Sequence, residues 1–286
     1  MIFAENVFSA FQYRFFLEAF FLLILLALIL PLLGNRMSQR GETMLSDTLS
    51  HSSLAGIAIG LAVGSFSGQT DVLTLVFSVG TSLIASFLVL WMRNYLKDEK
   101  ENALTILLSF ALGLTGILTK YIKGNRIDSY FFGSLFTITP FQFWTLFGAS
   151  IVVLLFEFFF YRTNLALLYS KDEMKADRLP TALYEVLDTF FLSSFIALAS
   201  NVVGVLLIAS FVSIPAATGR KLASSYKGSL LISAVFSLLT SLIGLFVSYA
   251  FDIHVGGCIV MVMTFAGLVI LLSAYLAKRK KSSSGV

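Results

Sequence analysis

Apolar positions do not alternate with polar ones along this chain. They run in unbroken blocks of about 20 residues, separated by short clusters of charge, glycine or proline. The blocks fall at 15–33, 44–63, 72–92, 103–119, 138–160, 183–200, 202–219, 228–249 and 257–277. At about 1.5 Å per helical residue, such a block covers the roughly 30 Å hydrocarbon core of a bilayer. Lipid offers no partner to a free backbone N–H or C=O, so blocks of this length predict transmembrane α-helices rather than the strands of a barrel. The expected fold is all-α and polytopic. Only Asn201 separates the sixth and seventh blocks. A tight hairpin and a re-entrant element both fit there, so the spans number eight or nine. The first block is longer than a signal-peptide core and no small-residue cleavage site follows it, so it is read as a retained span.

Composition supports the membrane reading. Of 286 residues, 57% are hydrophobic and 13% charged, 29 are phenylalanine, and the mean hydropathy is +0.89. A soluble domain does not have that balance. Length therefore counts spans within one transmembrane domain, residues 1–286. The lone cysteine, Cys258, cannot form an intramolecular disulfide and is read as a packed apolar residue.

A net charge of +4 raises the question of nucleic acid, and the placement of the bases answers it. Arg36 and Arg40; Arg93, Lys97 and Lys100; Arg162, Lys171, Lys175 and Arg178; Arg220, Lys221 and Lys227; and the run 278–281 lie on alternate loops of the nine-span arrangement. They make up 16 of the 20 basic residues, and only Arg14, Lys120, Lys123 and Arg126 fall on the other side. By the positive-inside rule the richer side is cytoplasmic, which puts the tail 278–286 in the cytoplasm and the N-terminus outside. No nucleic-acid partner is expected. The longest polar stretch, 161–185, is then a cytoplasmic loop with charges of both signs. The loop containing "KYIKGNRIDSYFFGSLFTITP" is external and is expected to lie along the membrane surface, its aromatics at the headgroups.

Candidate chemistry begins at "MLSDTLSHSSLAGIAIG", residues 44–60. Asp47 and His51 are four apart, so on a helix they stack on one face with Ser50 beside them. A carboxylate and an imidazole form a donor set suited to zinc, manganese or iron(II). The competing reading makes Asp47 a first-turn cap and has His51 snorkelling or bonded to backbone. Glu18 and Glu157 are placed near span ends in interfacial roles. Asp252 and His254, in the external turn "FDIHVGG", are a possible contact for an incoming ion. The chain has no G-x-x-x-x-G-K-[ST], H-E-x-x-H or G-x-S-x-G motif, so a P-loop, the commonest zinc-protease helix and a serine nucleophile elbow are all missing.

With these residues on the page, "SDTLSHSSLAGIAIG" resembles the signature of the ABC-3 permeases of bacterial zinc and manganese importers. "VVGVLLIASFVSIPAATGRKLA" (202–223), "FFGSLFTITPFQF" and "KENALTILLSFALG" are similar to further segments of that family. The resemblance implies a permease of the type II ABC importer kind, paired with a second copy around a central path. It also implies two cytoplasmic P-loop ATPases that use ATP, and an extracellular or periplasmic protein that delivers the metal. It places Asp47 and His51, with Ser50, on that path, and no covalently bound cofactor is implied. It puts the ATPase-coupling element at Asp172, Glu173, Met174, Lys175, Ala176, Asp177, Arg178, Leu179 and Pro180. Arg178 stands where the family usually has glycine before Leu-Pro. The motif variant favours Zn2+ over Mn2+ as the cargo. The alternative is a self-sufficient secondary metal transporter or channel, for which inverted internal repeats would be expected; none is evident.

Overall fold

The computed structural model describes residues 11–67, 70–95, 100–122, 126–133, 135–169 and 181–283. Among them the secondary structure is helical throughout. Ten α-helices occur in this order: α1 (Arg14–Gln39), α2 (Thr43–Ser67), α3 (Thr70–Tyr95), α4 (Lys100–Leu118), the short α5 (Arg126–Phe132), α6 (Pro140–Tyr169), α7 (Thr181–Val203), α8 (Val205–Leu222), α9 (Tyr226–Phe251) and α10 (Val255–Ser283). All except α5 are long and apolar enough to cross a membrane, nine candidate spans among the described residues.

Sequence chemistry sets several of the helix ends. Thr139 and Gln142 form a reciprocal capping box at the start of α6, with Thr139 N–H donating to Gln142 Oε1 at 3.1 Å and Gln142 N–H to Thr139 Oγ1 at 3.3 Å. Pro140 occupies the first helical position, where its missing N–H costs nothing. Ser225 caps α9 by accepting from Gly228 N–H at 3.2 Å. α1 ends in a Schellman turn: Glu42 N–H donates to Met37 O at 2.8 Å and Gly41 N–H to Ser38 O at 3.3 Å, with Gly41 at φ +70°.

α1 is the central post. Phe16, Leu22, Leu26, Ile29 and Leu30 have no exposed surface, and neither do Leu207, Ile208, Phe211 and Val212 of the neighbouring α8. The periphery is apolar too but faces outward, with Phe158 at 79% exposed, Phe159 at 74% and Phe265 at 72%. In water such a surface would drive aggregation; in lipid it is the solvated face. The large phenylalanine count is divided between these two environments.

Side-chain bonds fix the relative direction of the helices. Arg220 donates to Ser38 O, Ser229 to Asn35 Oδ1, and Arg40 to Asp188. The C-terminal ends of α1 and α8 and the N-terminal ends of α7 and α9 therefore share one end of the bundle. At the other end, Phe16 packs against Tyr249 and Phe136.

The break between α7 and α8 is a single residue, Gly204, with φ +92°. Both of its helices are of spanning length, which makes the junction a hairpin apex and keeps the count at nine. The apex is buried because the segment 126–133 folds onto it. Gly133 lies against the carbonyl of Val203 and Gly256 against that of Phe132. Ile127, Tyr130 and Phe131 pack on Leu54, Ile57, Leu61 and Val205. α5 stays half-exposed, with Phe132 39% exposed, while Ile127, Tyr130 and Phe131 rest on the bundle. Glycines at the crossing let the backbones approach.

Candidate functional site

In residues 43–53 of α2 the serines and threonines turn their hydroxyls back on their own helix backbone. Ser46 donates to Thr43 O at 2.9 Å, Ser50 to Ser46 O at 2.7 Å, Ser52 to Thr48 O at 2.7 Å and Ser53 to Ser50 O at 2.8 Å. The polar atoms are satisfied inside the helix, so this small-residue face can be buried without cost in unmade hydrogen bonds. Thr48 also reaches Leu104 O on α4 at 3.3 Å.

Asp47 and His51 lie on one unbroken helix and are both half-buried, one turn apart on the same face. Ser50 is fully buried, its hydroxyl proton committed to Ser46. The helix begins at Thr43, a full turn before Asp47, and the carboxylate accepts from the Ser46 hydroxyl at 3.4 Å. That geometry does not suit a first-turn cap. His51 Nδ1 is buried and has no hydrogen-bond partner among the described residues, while its ring stands 6.1 Å from that of Phe131. A buried imidazole nitrogen without a partner carries a desolvation cost that a ligand or a water would relieve. Among the described residues, no group of three or more His, Cys, Asp or Glu side chains gathers where it could hold a metal ion. The pair therefore offers part of a coordination shell.

Asp252 and His254 lie at the end of the bundle away from Arg36 and Arg220, and Phe131 and Phe132 stand between the His254 ring and that of His51. Asp252 caps α9 in a left-handed conformation at φ 53°. With His254 it lines a cleft of about 380 Å³ shared with Ser129, Gly133 and Leu135–Thr137. The His254 ring stacks on Phe132 at 6.1 Å. The coupling residues Asp172, Glu173, Met174, Lys175, Ala176, Asp177, Arg178, Leu179 and Pro180 lie outside the described residues.

Sequence reasoning missed a buried ionic cluster. Arg36 Nη1 lies 2.7 Å from Glu157 Oε1 on α6 and Arg36 Nη2 lies 2.5 Å from Asp188 Oδ1 on α7, while Arg40 Nη1 lies 2.8 Å from Asp188 Oδ2. Asn164 supports Glu157 from about two turns further along α6, donating at 3.2 Å. The side chains of Arg36 and Asp188 are only 5% and 2% exposed. The interfacial assignment of Glu157 is therefore wrong: its carboxylate is turned inward toward a guanidinium. Glu18 pairs instead with the exposed Arg14 at 2.7 Å, as an interfacial residue should. The available signal was Asp188 inside an apolar block, since an ionisable residue within a span calls for a partner.

Comparison with known proteins places this architecture. The family described as "ABC 3 transport family" matches residues 12–274. The chain is 26% identical over 247 residues to a "Probable metal transport system membrane protein" of Treponema pallidum (strain Nichols), covering 86% of this chain and 90% of the relative. It is 25% identical over 276 residues to "Manganese import system permease protein ScaB" of Streptococcus parasanguinis, covering 95% and 94%. Its fold is similar to that in the structure "PsaBC from Streptococcus pneumoniae in complex with Fab", with a TM-score of 0.78 and 24% identity over 94% of this chain and 95% of that one.

Proposed function

The chain belongs to the ABC 3 transport family, and from that premise we propose that it is the membrane-spanning subunit of an ATP-driven importer for a divalent transition-metal ion. The observation that carries this reading is the half-buried Asp47 and His51 on one face of α2, with His51 Nδ1 unpartnered. A metal passing between apolar helices must replace the water it sheds, and a carboxylate plus an imidazole replace part of that shell. Two donors from one chain are fewer than the four usual in a closed site. Further donors come from water or from a second copy of this chain across the path, and an open shell also lets the ion leave.

The remaining roles follow from the same premise. ATP is used by a separate cytoplasmic P-loop subunit, since this sequence has no P-loop of its own. Residues 172–180, between α6 and α7, form the contact with that subunit. A metal-binding protein delivers the ion on the side of Asp252 and His254. The end of the bundle with Arg36, Arg220 and the start of α7 faces the cytoplasm, because 16 of 20 basic residues belong to that side. Zinc is the cargo favoured by the motif. The relative from Streptococcus parasanguinis carries manganese in its printed name, and the donor set accepts both ions.

The experiment is growth of a cell dependent on this chain in metal-limited medium. Asp47→Ala and His51→Ala each abolish growth at equal protein level, and excess zinc rescues better than excess manganese. Unimpaired zinc and manganese accumulation in both variants would remove the pair from the path.

A further inference from the structure

Residues 170–180 are carried by two helices, α6 on one side and α7 on the other. Each bears one buried acid: Glu157, twelve residues before the end of α6, and Asp188, seven residues after the start of α7. These positions lie about 18 Å and about 10 Å inside their helices at 1.5 Å per residue. α6 has 30 residues, about 45 Å, well beyond a bilayer core. It is a rod held against the bundle at Ser150, Val153, Phe156 and Glu157.

One residue grips both rods. The Arg36 guanidinium spans Glu157 at 2.7 Å and Asp188 at 2.5 Å, and Arg40 takes the second oxygen of Asp188 at 2.8 Å. Glu42 and Glu185 line the same small cavity as Arg36, Arg40 and Asp188. One guanidinium within ion-pair distance of both Glu157 and Asp188 draws α6 and α7 toward the same point on α1.

Arg36 lies in the last turn of α1 and Arg40 is its C-cap, at the Schellman turn that leads into α2. The turn is closed by Glu42 N–H on Met37 O and Gly41 N–H on Ser38 O, and Leu45 N–H follows on Glu42 O at 3.0 Å. It is a stiff elbow, and Asp47 stands five residues beyond Glu42. An unbroken physical route therefore runs from α6 and α7 through Arg36 and the elbow to the face bearing Asp47 and His51.

We infer that Arg36, seconded by Arg40, is a positioning residue for transport: it ties α6 and α7 to the elbow before α2, so that a shift of either helix moves Asp47 and His51. The inference rests on the proposed function. A salt bridge serving stability alone would be an inefficient choice, because well-packed apolar residues of similar volume hold buried helices together at least as well.

The test uses the complete complex in proteoliposomes, with permease, ATPase and metal-binding protein, and reads ATP hydrolysed per zinc or manganese ion imported. Glu157→Gln keeps the size and shape of the side chain but removes one ionic tie and one of the two acceptor oxygens. The double variant Arg36→Met with Glu157→Leu removes that tie without leaving an unpaired charge, because Arg40 still pairs with Asp188. Both should hydrolyse ATP within about twofold of the parent and import about tenfold less metal, so that ATP used per ion rises about tenfold. Arg36→Lys should fall between. A stability role alone would lower hydrolysis and import together at a constant ratio; that result, or full coupling in the apolar double variant, overturns the inference. A parent complex that imports metal without ATP would overturn the proposed function itself, a distinguishable failure.

Discussion

At the scale of single residues, the most constrained position is Gly204. Its φ of +92° and ψ of 149° lie where only glycine is at ease, and a Cβ there would meet the backbone of Gly133. Gly204→Ala is expected to cost about 1–3 kcal/mol from backbone strain alone, read as a lower midpoint of thermal unfolding in detergent. Gly80→Ala is the control, since nothing lies near its missing Cβ. It should be neutral or stabilising by up to about 1 kcal/mol, because alanine is the better helix former. An unchanged midpoint for Gly204→Ala would mean that the apex is looser than described. Individual residues differed in how legible they were. Asp47 and His51 stood out because polar pairs at helical spacing are rare in greasy sequence. Arg36 did not, because an arginine beside a span end reads as a positive-inside anchor until its partners on α6 and α7 are seen. Their sequence separations from Arg36, 121 and 152 residues, place them beyond any periodicity argument.

At the scale of helices, hydrophobic length alone located all nine spans, because the bilayer imposes a minimum run and charge is excluded from its core. The uncertain junction at Asn201 resolves into a hairpin with its turn at Gly204. Asn201 itself is a buried strut that donates to Ser78 on α3 and to Ala197 O at 3.1 Å. The packing of α5 on α2 was not legible, because a seven-residue helix has too little pattern to show which way it faces and the approach depends on glycines at 133, 204 and 256 that meet only in three dimensions. Nine candidate spans predict that the two ends of the chain lie on opposite faces. A cysteine introduced at Ser284 should be labelled by an impermeant reagent only from the cytoplasm, and one at Ser67 only from outside. Labelling of both from the same side would break the nine-span order.

At the scale of the whole molecule, the central claim is that a bundle with a lipid-facing apolar shell holds a partial metal shell on α2 and is driven by an ATPase bound elsewhere. Fold class could be read from the chain because it follows from solvent. The coordination path could be read only in part, since one chain supplies two donors and a complete shell needs more. The rival mechanisms differ in their energy source. A secondary transporter follows an ion gradient and a channel follows the cargo's own gradient, whereas an ABC permease moves metal only while its partner hydrolyses ATP. The decisive measurement is therefore zinc and manganese uptake into proteoliposomes containing the complex, with ATP supplied or withheld and all ion gradients collapsed. The account predicts uptake only with ATP, reduced at least about tenfold by Asp47→Ala or His51→Ala, the fold-change expected for about 1.4 kcal/mol or more of lost stabilisation. Uptake that continues without ATP, or that is unchanged in both variants, would contradict it.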